Sequence, residues 1–292
     1  MRIAVIADSH LAPGARACND NWRAARDFVA SARVDLTVHL GDITVDGVGD
    51  VGQFAHAIAM ASRWPTPLRC LPGNHDVGDN PPGPGVAPME PLDRARLDDF
   101  REAFGPDYWS FGADGWLVIG LNAQLAGTDT PEETDQRSWL AARLADAGRS
   151  RVVILLHKPL FQESDADENP HQRYMPAAPR RHLLELLSRV DLRAVVSGHT
   201  HQYLDRLLGG VRHVWVPSTA FYLPDEMQDR VGEKITGLGV MDLGADRFGF
   251  HLVCPEGVRR HSALDHPLCL HLLEARARVE PTARRQGEPL AR

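Results

Sequence analysis

Along the front half of the chain, short apolar runs alternate with stretches of helical period, and each apolar run stops at a polar residue. Residues 2–7 carry Ile3, Val5 and Ile6 and end at Asp8. Residues 34–40 alternate apolar and polar and stop at Gly41-Asp42. Residues 67–71 close on Pro72-Gly73-Asn74-His75-Asp76. Between them, Trp22, Ala25, Phe28, Val29 and Ala32 recur at helical spacing over 20–33, and 51–62 repeats that pattern. Strand, helix and strand at this spacing predict βαβ units and a parallel sheet.

The middle of the chain is different. Residues 77–91 hold Pro81, Pro82, Pro84, Pro88 and Pro91 among three glycines, which predicts a long irregular loop, either a lid or a surface excursion. A helix over 92–104 and a buried strand over 115–121 follow. Thr130-Pro131-Glu132-Glu133 is a helix start with a cap, a first-turn proline and a capping-box glutamate, and that helix turns Trp139, Leu140, Leu144 and Ala147 inward. Residues 151–156 are a strand ending at His157. Residues 162–178 form a second polar loop with Asp165, Asp167, Glu168, Asn169, His171, Arg173 and Tyr174, a second candidate lid. Leu183, Leu184, Leu186 and Leu187 mark a helix, and the strand 192–197 ends at Gly198-His199-Thr200-His201. Short strands are expected near 202–208, 212–216, 237–243 and 247–253. Residues 1–265 read as one catalytic-scale domain, and 266–292 as a leucine-rich helix with an ill-ordered, Arg-, Pro- and Gly-rich end.

Composition narrows the setting. A chain of 292 residues with 43% hydrophobic and 24% charged residues builds a core that needs no staples. The net charge of −7 draws neither nucleic acid nor an acidic membrane surface, and the short basic stretch Arg276–Arg285 reads as a solvated end. An acidic protein that handles an anionic substrate needs local positive charge, which bound metal would supply. Cys18, Cys70, Cys254 and Cys269 form no C-x-x-C pair, so they read as reduced thiols rather than a zinc site or a disulfide scaffold. The first apolar run is too short for a secretory leader, and no window reaches the ~18 apolar residues of a membrane helix. A cytoplasmic location is therefore expected. The late strands and residues 268–273 leave a homo-oligomer open, since core packing explains them equally well.

The chemistry lies where the strands stop. Asp8 with His10, Asp42, Asn74 with His75 and Asp76, His157, and His199 with His201 all follow apolar runs. In α/β sheets ligands bind beyond the carboxyl ends of the strands, so these residues are expected to converge. Asp8 and His10, like His199 and His201, are two apart; in extended backbone both members of a pair would point to one side and reach one metal or two adjacent ones. The glycines at 41, 73 and 198 are expected to let the chain turn as it leaves each strand. Imidazole, carboxylate and amide without thiolate suit zinc, iron, manganese or nickel.

Asp8-x-His10, Gly41-Asp42, Gly73-Asn74-His75-Asp76, His157 and Gly198-His199-x-His201, in this order over residues 1–220, resemble the signature of the calcineurin-like metallophosphoesterase superfamily, most closely bacterial phosphodiesterases of the cyclic-nucleotide and glycerophosphodiester type. The resemblance implies an α/β fold: a four-layer α/β/β/α sandwich of two mixed β-sheets. It implies two metal ions, iron or manganese before zinc or nickel. Asp8, His10, Asp42 and His201 would hold one, and Asp42, Asn74, His157 and His199 the other, with Asp42 bridging. It implies His75 near the leaving group and Asp76 orienting it, while a metal-bridging hydroxide attacks phosphorus.

The arginines that eukaryotic-type protein Ser/Thr phosphatases place beside these motifs are absent after Asp42 and before Gly73, which argues against a phosphoprotein substrate. A small-molecule phosphodiesterase is the leading expectation, a phosphomonoesterase or nucleotidase the second, and a non-catalytic metal-binding scaffold the third. Ser218, Thr219 and Tyr222 either border the substrate or form a turn with a buried aromatic. His171, Arg173 and Tyr174 are candidate substrate contacts from the second loop.

Overall fold

The protein is described by a computed structural model covering residues 1–267 apart from 89, 169, 170 and 246. The leucine-rich helix and ill-ordered end expected after residue 266 fall almost wholly outside the described residues.

Strand β1 (Arg2–Ile6) leads through helix α1 (Arg16–Ser31) to β2 (Leu36–His39), and through α2 (Gly52–Ala61) to β3 (Leu68–Cys70). The short α3 (Asn74–Val77) and then α4 (Arg94–Phe104) follow, with β4 (Trp109–Ala113), β5 (Trp116–Leu121), α5 (Pro131–Ala145) and β6 (Arg151–Leu156). The chain continues with α6 (Ala177–Leu187), β7 (Asp191–Ser197), β8 (Leu204–Leu208), β9 (Val211–Trp215), β10 (Leu238–Leu243) and β11 (Phe248–Val253). Two mixed sheets result. One has the order β11-β10-β1-β2-β3, the other β4-β5-β6-β7-β9-β8. In the first, β1, β2 and β3 run parallel while β10 and β11 are antiparallel. In the second, β5, β6, β7 and β9 run parallel, with β4 and β8 antiparallel at the edges.

The central strands are apolar on both faces because both faces are covered, the reason they read as unbroken runs. Ile3, Val5, Val38, Trp116, Val118, Val153, Leu155 and Val196 meet between the sheets. Ala4 and Ile6 face the other way, onto Trp22, Ala25 and Val29 of α1, Phe54 and Ala57 of α2, and Leu97 and Phe100 of α4. Ile119, Leu121, Val152, Ile154 and Val195 pack beneath Leu140 and Leu144 of α5 and Leu183 and Leu187 of α6. This is the expected four-layer α/β/β/α sandwich. No helix among the described residues is long and apolar enough to cross a membrane.

Thr130 caps α5 through the Glu133 amide, but the Glu133 carboxylate reaches the Gly127 and Asp129 amides, so the capping box is only half formed. Strand β4 was not expected: Trp109, Phe111 and Ala113 alternate with Ser110 and Gly112, but over five residues and without an apolar run. The readable signal was Asp114-Gly115, whose φ values of 48° and 80° make the two-residue hairpin joining β4 to β5. The two loops expected as lids are anchored rather than open. Asp79 closes the stem of 77–91 against Glu90 and Leu92, and in 162–178 the Asp167 carboxylate gathers the amides of Gln162 and Glu163 while buried Arg180 donates to the Leu160, Met175 and Asp167 carbonyls.

Candidate metal centre

Both sheets direct the carboxyl ends of their parallel strands to one place. β1 delivers Asp8 and His10, β2 Asp42, β3 Asn74 and His75, β6 His157, and β7 His199 and His201, so the fold brings these eight side chains together. Their donor atoms fall into three overlapping groups: Asp8, His10 and His201; His10, Asp42 and His75; and Asp42, His157 and His199. His10 Nε2 lies 3.2 Å from His201 Nε2, which is 3.5 Å from Asp8 Oδ1. His157 Nε2 lies 3.4 Å from Asp42 Oδ2, 3.3 Å from Asn74 Oδ1 and 3.0 Å from His199 Nδ1. Asp8, His10, Asp42, Asn74, His157 and His201 are buried, whereas His199 and His75 are partly exposed and mark the open side.

The backbone that holds these groups is not extended, which corrects the reasoning from i, i+2 spacing. Asp8, His10, Asp42, His199 and His201 have φ of 52°, 45°, 54°, 65° and 52°, the left-handed region. They are five of the eight non-glycine residues there among those described. Each costs roughly 1–2 kcal/mol relative to ordinary backbone. Accordingly His199 and His201 serve different donor groups, although Asp8 and His10 share one. The glycines also divide by role. Gly41 (φ 107°) makes the turn, whereas Gly73 and Gly198 allow close approach: a Cβ on Gly73 would fall against the Asp42 amide and carboxylate, and one on Gly198 would lie 2.8 Å from Asp8 Oδ2.

Hydrogen bonds pin the strained segments. The amides of Asp8, His10 and Leu11 donate to the carbonyls of Gly41, Asp42 and Ile43 at 2.9, 3.1 and 2.7 Å, so the β1 and β2 exits run as one ladder. The His199 amide donates to Asp8 Oδ2 at 3.0 Å, and the His75 amide to Asp42 Oδ1 at 2.9 Å. His157 Nδ1 meets the Leu40 carbonyl at 2.9 Å and His201 Nδ1 the Phe221 carbonyl at 2.8 Å. A carbonyl only accepts, so both rings carry the proton on Nδ1 and turn Nε2 inward.

Charge follows from burial and neighbours. Burial pushes the Asp42 carboxyl up, but the imidazoles of His157, His75 and His10 outweigh it and hold it well below the usual range. Asp8 is raised by burial and by Asp42. Burial depresses His157, yet Asp42, Asp8 and Asp76 together lift it to about 9. Burial and neighbouring imidazoles hold His10 well below the normal value, as burial, His157 and Lys158 do His199; burial takes His201 to about 3. The neutral imidazoles of His10, His199 and His201, a low-pKa carboxylate, an amide oxygen and His157, which would give up its proton to an ion, are a donor set that fits a borderline divalent or trivalent ion.

Asp76 departs from its expected role. Its carboxylate accepts from the amides of Ile43 (3.1 Å), Thr44 (2.9 Å) and Gly73 (2.9 Å) and from the Thr44 hydroxyl (2.8 Å), whereas His75 Nδ1 is held by the Val45 carbonyl at 2.7 Å. Asp76 therefore fixes the loop beyond Asp42 rather than the imidazole. Ser218 and Thr219 form the plain turn: their hydroxyls donate to the Asp8 and Ala7 carbonyls, and the Tyr222 ring lies under Arg260. The sequence reading missed three supports. Phe221 stacks on His10 and lies against His201, at 4.9 and 4.8 Å. His39 accepts from the Gly41 amide on Nδ1 at 3.1 Å and faces Ser9 with Nε2. Buried Lys158 is ion-paired to Asp79. Only the position of Lys158 directly after His157 hinted at any of these.

Comparison with known proteins agrees with this geometry. The model of the calcineurin-like phosphoesterase family matches residues 1–203. The serine/threonine-protein phosphatase CPPED1 of Mus musculus is 32% identical over 142 residues, which is 47% of this chain and 42% of the mouse protein, so the match spans less than half of that relative's length. The 3',5'-cyclic adenosine monophosphate phosphodiesterase CpdA of Escherichia coli strain K12 is 28% identical over 221 residues, 73% of this chain and 71% of that one. Among solved structures, a dimetal phosphatase from Danio rerio shares the fold, with a TM-score of 0.63 and 15% identity over 86% of this chain and 95% of that one.

Two outcomes follow from the strain and from the depressed histidines. Gly73→Ala, which drives a methyl group into Asp42, lowers the metal bound per chain, read by elemental analysis, while circular dichroism stays native; full metal content would contradict the close-approach role. Burial, together with the His157 charge, holds His39 at about 3 against 6.5 in the unfolded chain. The unfolded state therefore takes up a proton that the folded state refuses, and His39 costs stability progressively as pH falls from 6.5 towards 3. In urea unfolding of the metal-free protein, His39→Gln removes about 1.4 kcal/mol of acid sensitivity per pH unit below 6; identical slopes for both proteins would show that His39 titrates normally.

Proposed function

The chain belongs to the calcineurin-like phosphoesterase family, and on that premise we propose that it is a small-molecule phosphodiesterase dependent on two metal ions. The observation that carries this reading is the sharing of Asp42 between two of the three donor groups, flanked by His157 and His199 on one side and His10 on the other. In this reading Asp8, His10, Asp42 and His201 would hold one ion and Asp42, Asn74, His157 and His199 the second, with Asp42 common to both sets. Iron and manganese are favoured over zinc and nickel. When bound, such ions supply positive charge for the phosphoryl oxygens and acidify water to a nucleophile near neutral pH.

The chain's own residues do the rest. His75 is partly exposed at the mouth, with Nδ1 held by the Val45 carbonyl and Nε2 4.0 Å from Asp42 Oδ2. From there it donates a proton to the leaving oxygen or stabilises its charge. Asp76 keeps the Ile43–Thr44 loop and Gly73 together, so that Asp42 and His75 stay in register. The buried free thiol of Cys70 supports a reducing, cytoplasmic setting.

A diester is preferred because the match to the bacterial phosphodiesterase runs over 73% of the chain, against 47% for the mouse phosphatase. That phosphatase match is the specific support for the second reading, a phosphomonoesterase, despite the missing arginines. The complete donor set and His75 leave a non-catalytic scaffold without support.

With Mn²⁺-loaded protein, bis-p-nitrophenyl phosphate is hydrolysed faster than p-nitrophenyl phosphate, and chelation abolishes both. His75→Ala lowers kcat by about 10²–10⁴ with both metals retained, and Asp42→Ala removes activity and metal together. A faster monoester would install the second reading, and an active Asp42→Ala protein would end the dinuclear one.

A further inference from the structure

Next to the metal centre lies a cavity of about 800 Å³ that none of the candidate metal ligands lines. Strand order explains its place. Leu121 of β5 pairs with Leu156 of β6, so Asn122 leaves the sheet beside His157, one strand spacing of about 4.8 Å away. The cavity opens from Asn122 between α5, the start of α6 and the tip of the 77–91 loop. A buried polar partition separates it from the metals. Lys158, directly after His157, is ion-paired to Asp79 and donates to Asn80 Oδ1 at 2.6 Å, and Asn80 Nδ2 donates to the Ala126 carbonyl at 2.9 Å. The loop expected as a lid on the catalytic side thus roofs a different space.

The walls define the chemistry of an occupant. Val86, Ala123, Ala126, Leu140, Met175 and Leu183 make them apolar. The buried and half-buried polar side chains Gln136, Glu133 and Thr128 of the lining already have partners. The Gln136 amide pairs with the Asn122 backbone, the Glu133 carboxylate accepts two amides, and the Thr128 hydroxyl donates to the Leu125 carbonyl. One cation remains at the rim. Arg137 of α5 is exposed, makes no ion pair with any described residue, and donates only to His182 Nε2, at 3.4 Å. Asp129, the other exposed charge on the wall, lies outside ion-pair distance of Arg137, so the guanidinium is not neutralised.

We propose that this cavity is a second ligand site, distinct from the metal centre, for a small apolar molecule with a carboxylate head: an alkyl or aryl carboxylic acid whose hydrocarbon body lies along Leu140, Met175 and Leu183 and whose carboxylate meets Arg137. The volume falls in the range of about 300–1,000 Å³ typical of small-molecule sites, which join apolar walls to a few placed polar groups. A guanidinium matches a carboxylate with two parallel hydrogen bonds. An occupant that spreads the loop tip would draw on the Asp79–Asn80 stem, and hence on Lys158 beside His157.

Isothermal titration with decanoate, on metal-free and on metal-loaded protein, tests the site independently of any phosphoesterase activity. One saturable site is expected in both forms. Ala178→Trp, which puts an indole into the cavity from an exposed position on α6, abolishes it. Arg137→Glu weakens it about tenfold, while Arg143→Glu, on the same helix outside the cavity, leaves it unchanged. Thermal unfolding of each variant confirms that it is folded. Absence of saturable binding, binding that survives Ala178→Trp in a folded protein, or decylamine binding as tightly as decanoate would overturn the proposal.

Discussion

Asp42 is the buried charge around which the site is organised. A lone carboxylate at that depth would take up a proton, and it stays ionised because three imidazoles face it and the His75 amide donates to it. The imidazoles arrive from β1, β3 and β6, that is, from both sheets. The packing of the two sheets and the ionisation of one aspartate are therefore a single problem. The His157 Nδ1–Leu40 carbonyl bond, which runs from one sheet to the other, is where they meet.

The strain at Asp8, His10, Asp42, His199 and His201 belongs to the same arrangement. Left-handed backbone lets a side chain point back over the end of its own strand, and the ladder between the β1 and β2 exits keeps it there. The cost is met by the surrounding sandwich, and bound metal would offset part of it, as expected where a folded frame over-determines its functional residues.

Much of this was legible beforehand. Doubly covered parallel strands must be apolar throughout, so their ends showed plainly, and the polar residues at those ends are the ones the fold brings together. Asp and His tolerate left-handed backbone better than most residues, but that preference is too weak to place it, so the left-handed turns at Asp8 and His199 were not read from their spacing. Edge strand β4 escaped because it is covered on one side only, and it needed its Asp114-Gly115 turn to be seen. Asp76 was assigned to His75 by the family resemblance, whereas three amides from two loops were competing for its oxygens. The 77–91 loop was recognised as irregular, but its direction depends on Lys158 and Asn80, residues distant in sequence whose pairing only the folded chain reveals.

Strand β1 sits between β2 and β10, with Ile3 paired to Leu36 on one side and to Met241 on the other. A ribosome delivers Asp8 and His10 before the other candidate ligands, but β10, which pairs with their strand, emerges only after more than two hundred further residues. Every candidate ligand up to His201 is therefore made before the strand that pairs with β1 on its far side. The donor groups are thus complete in the growing chain before the sheet around Asp8 and His10 is, and the burial that sets their charges is among the last things the fold acquires.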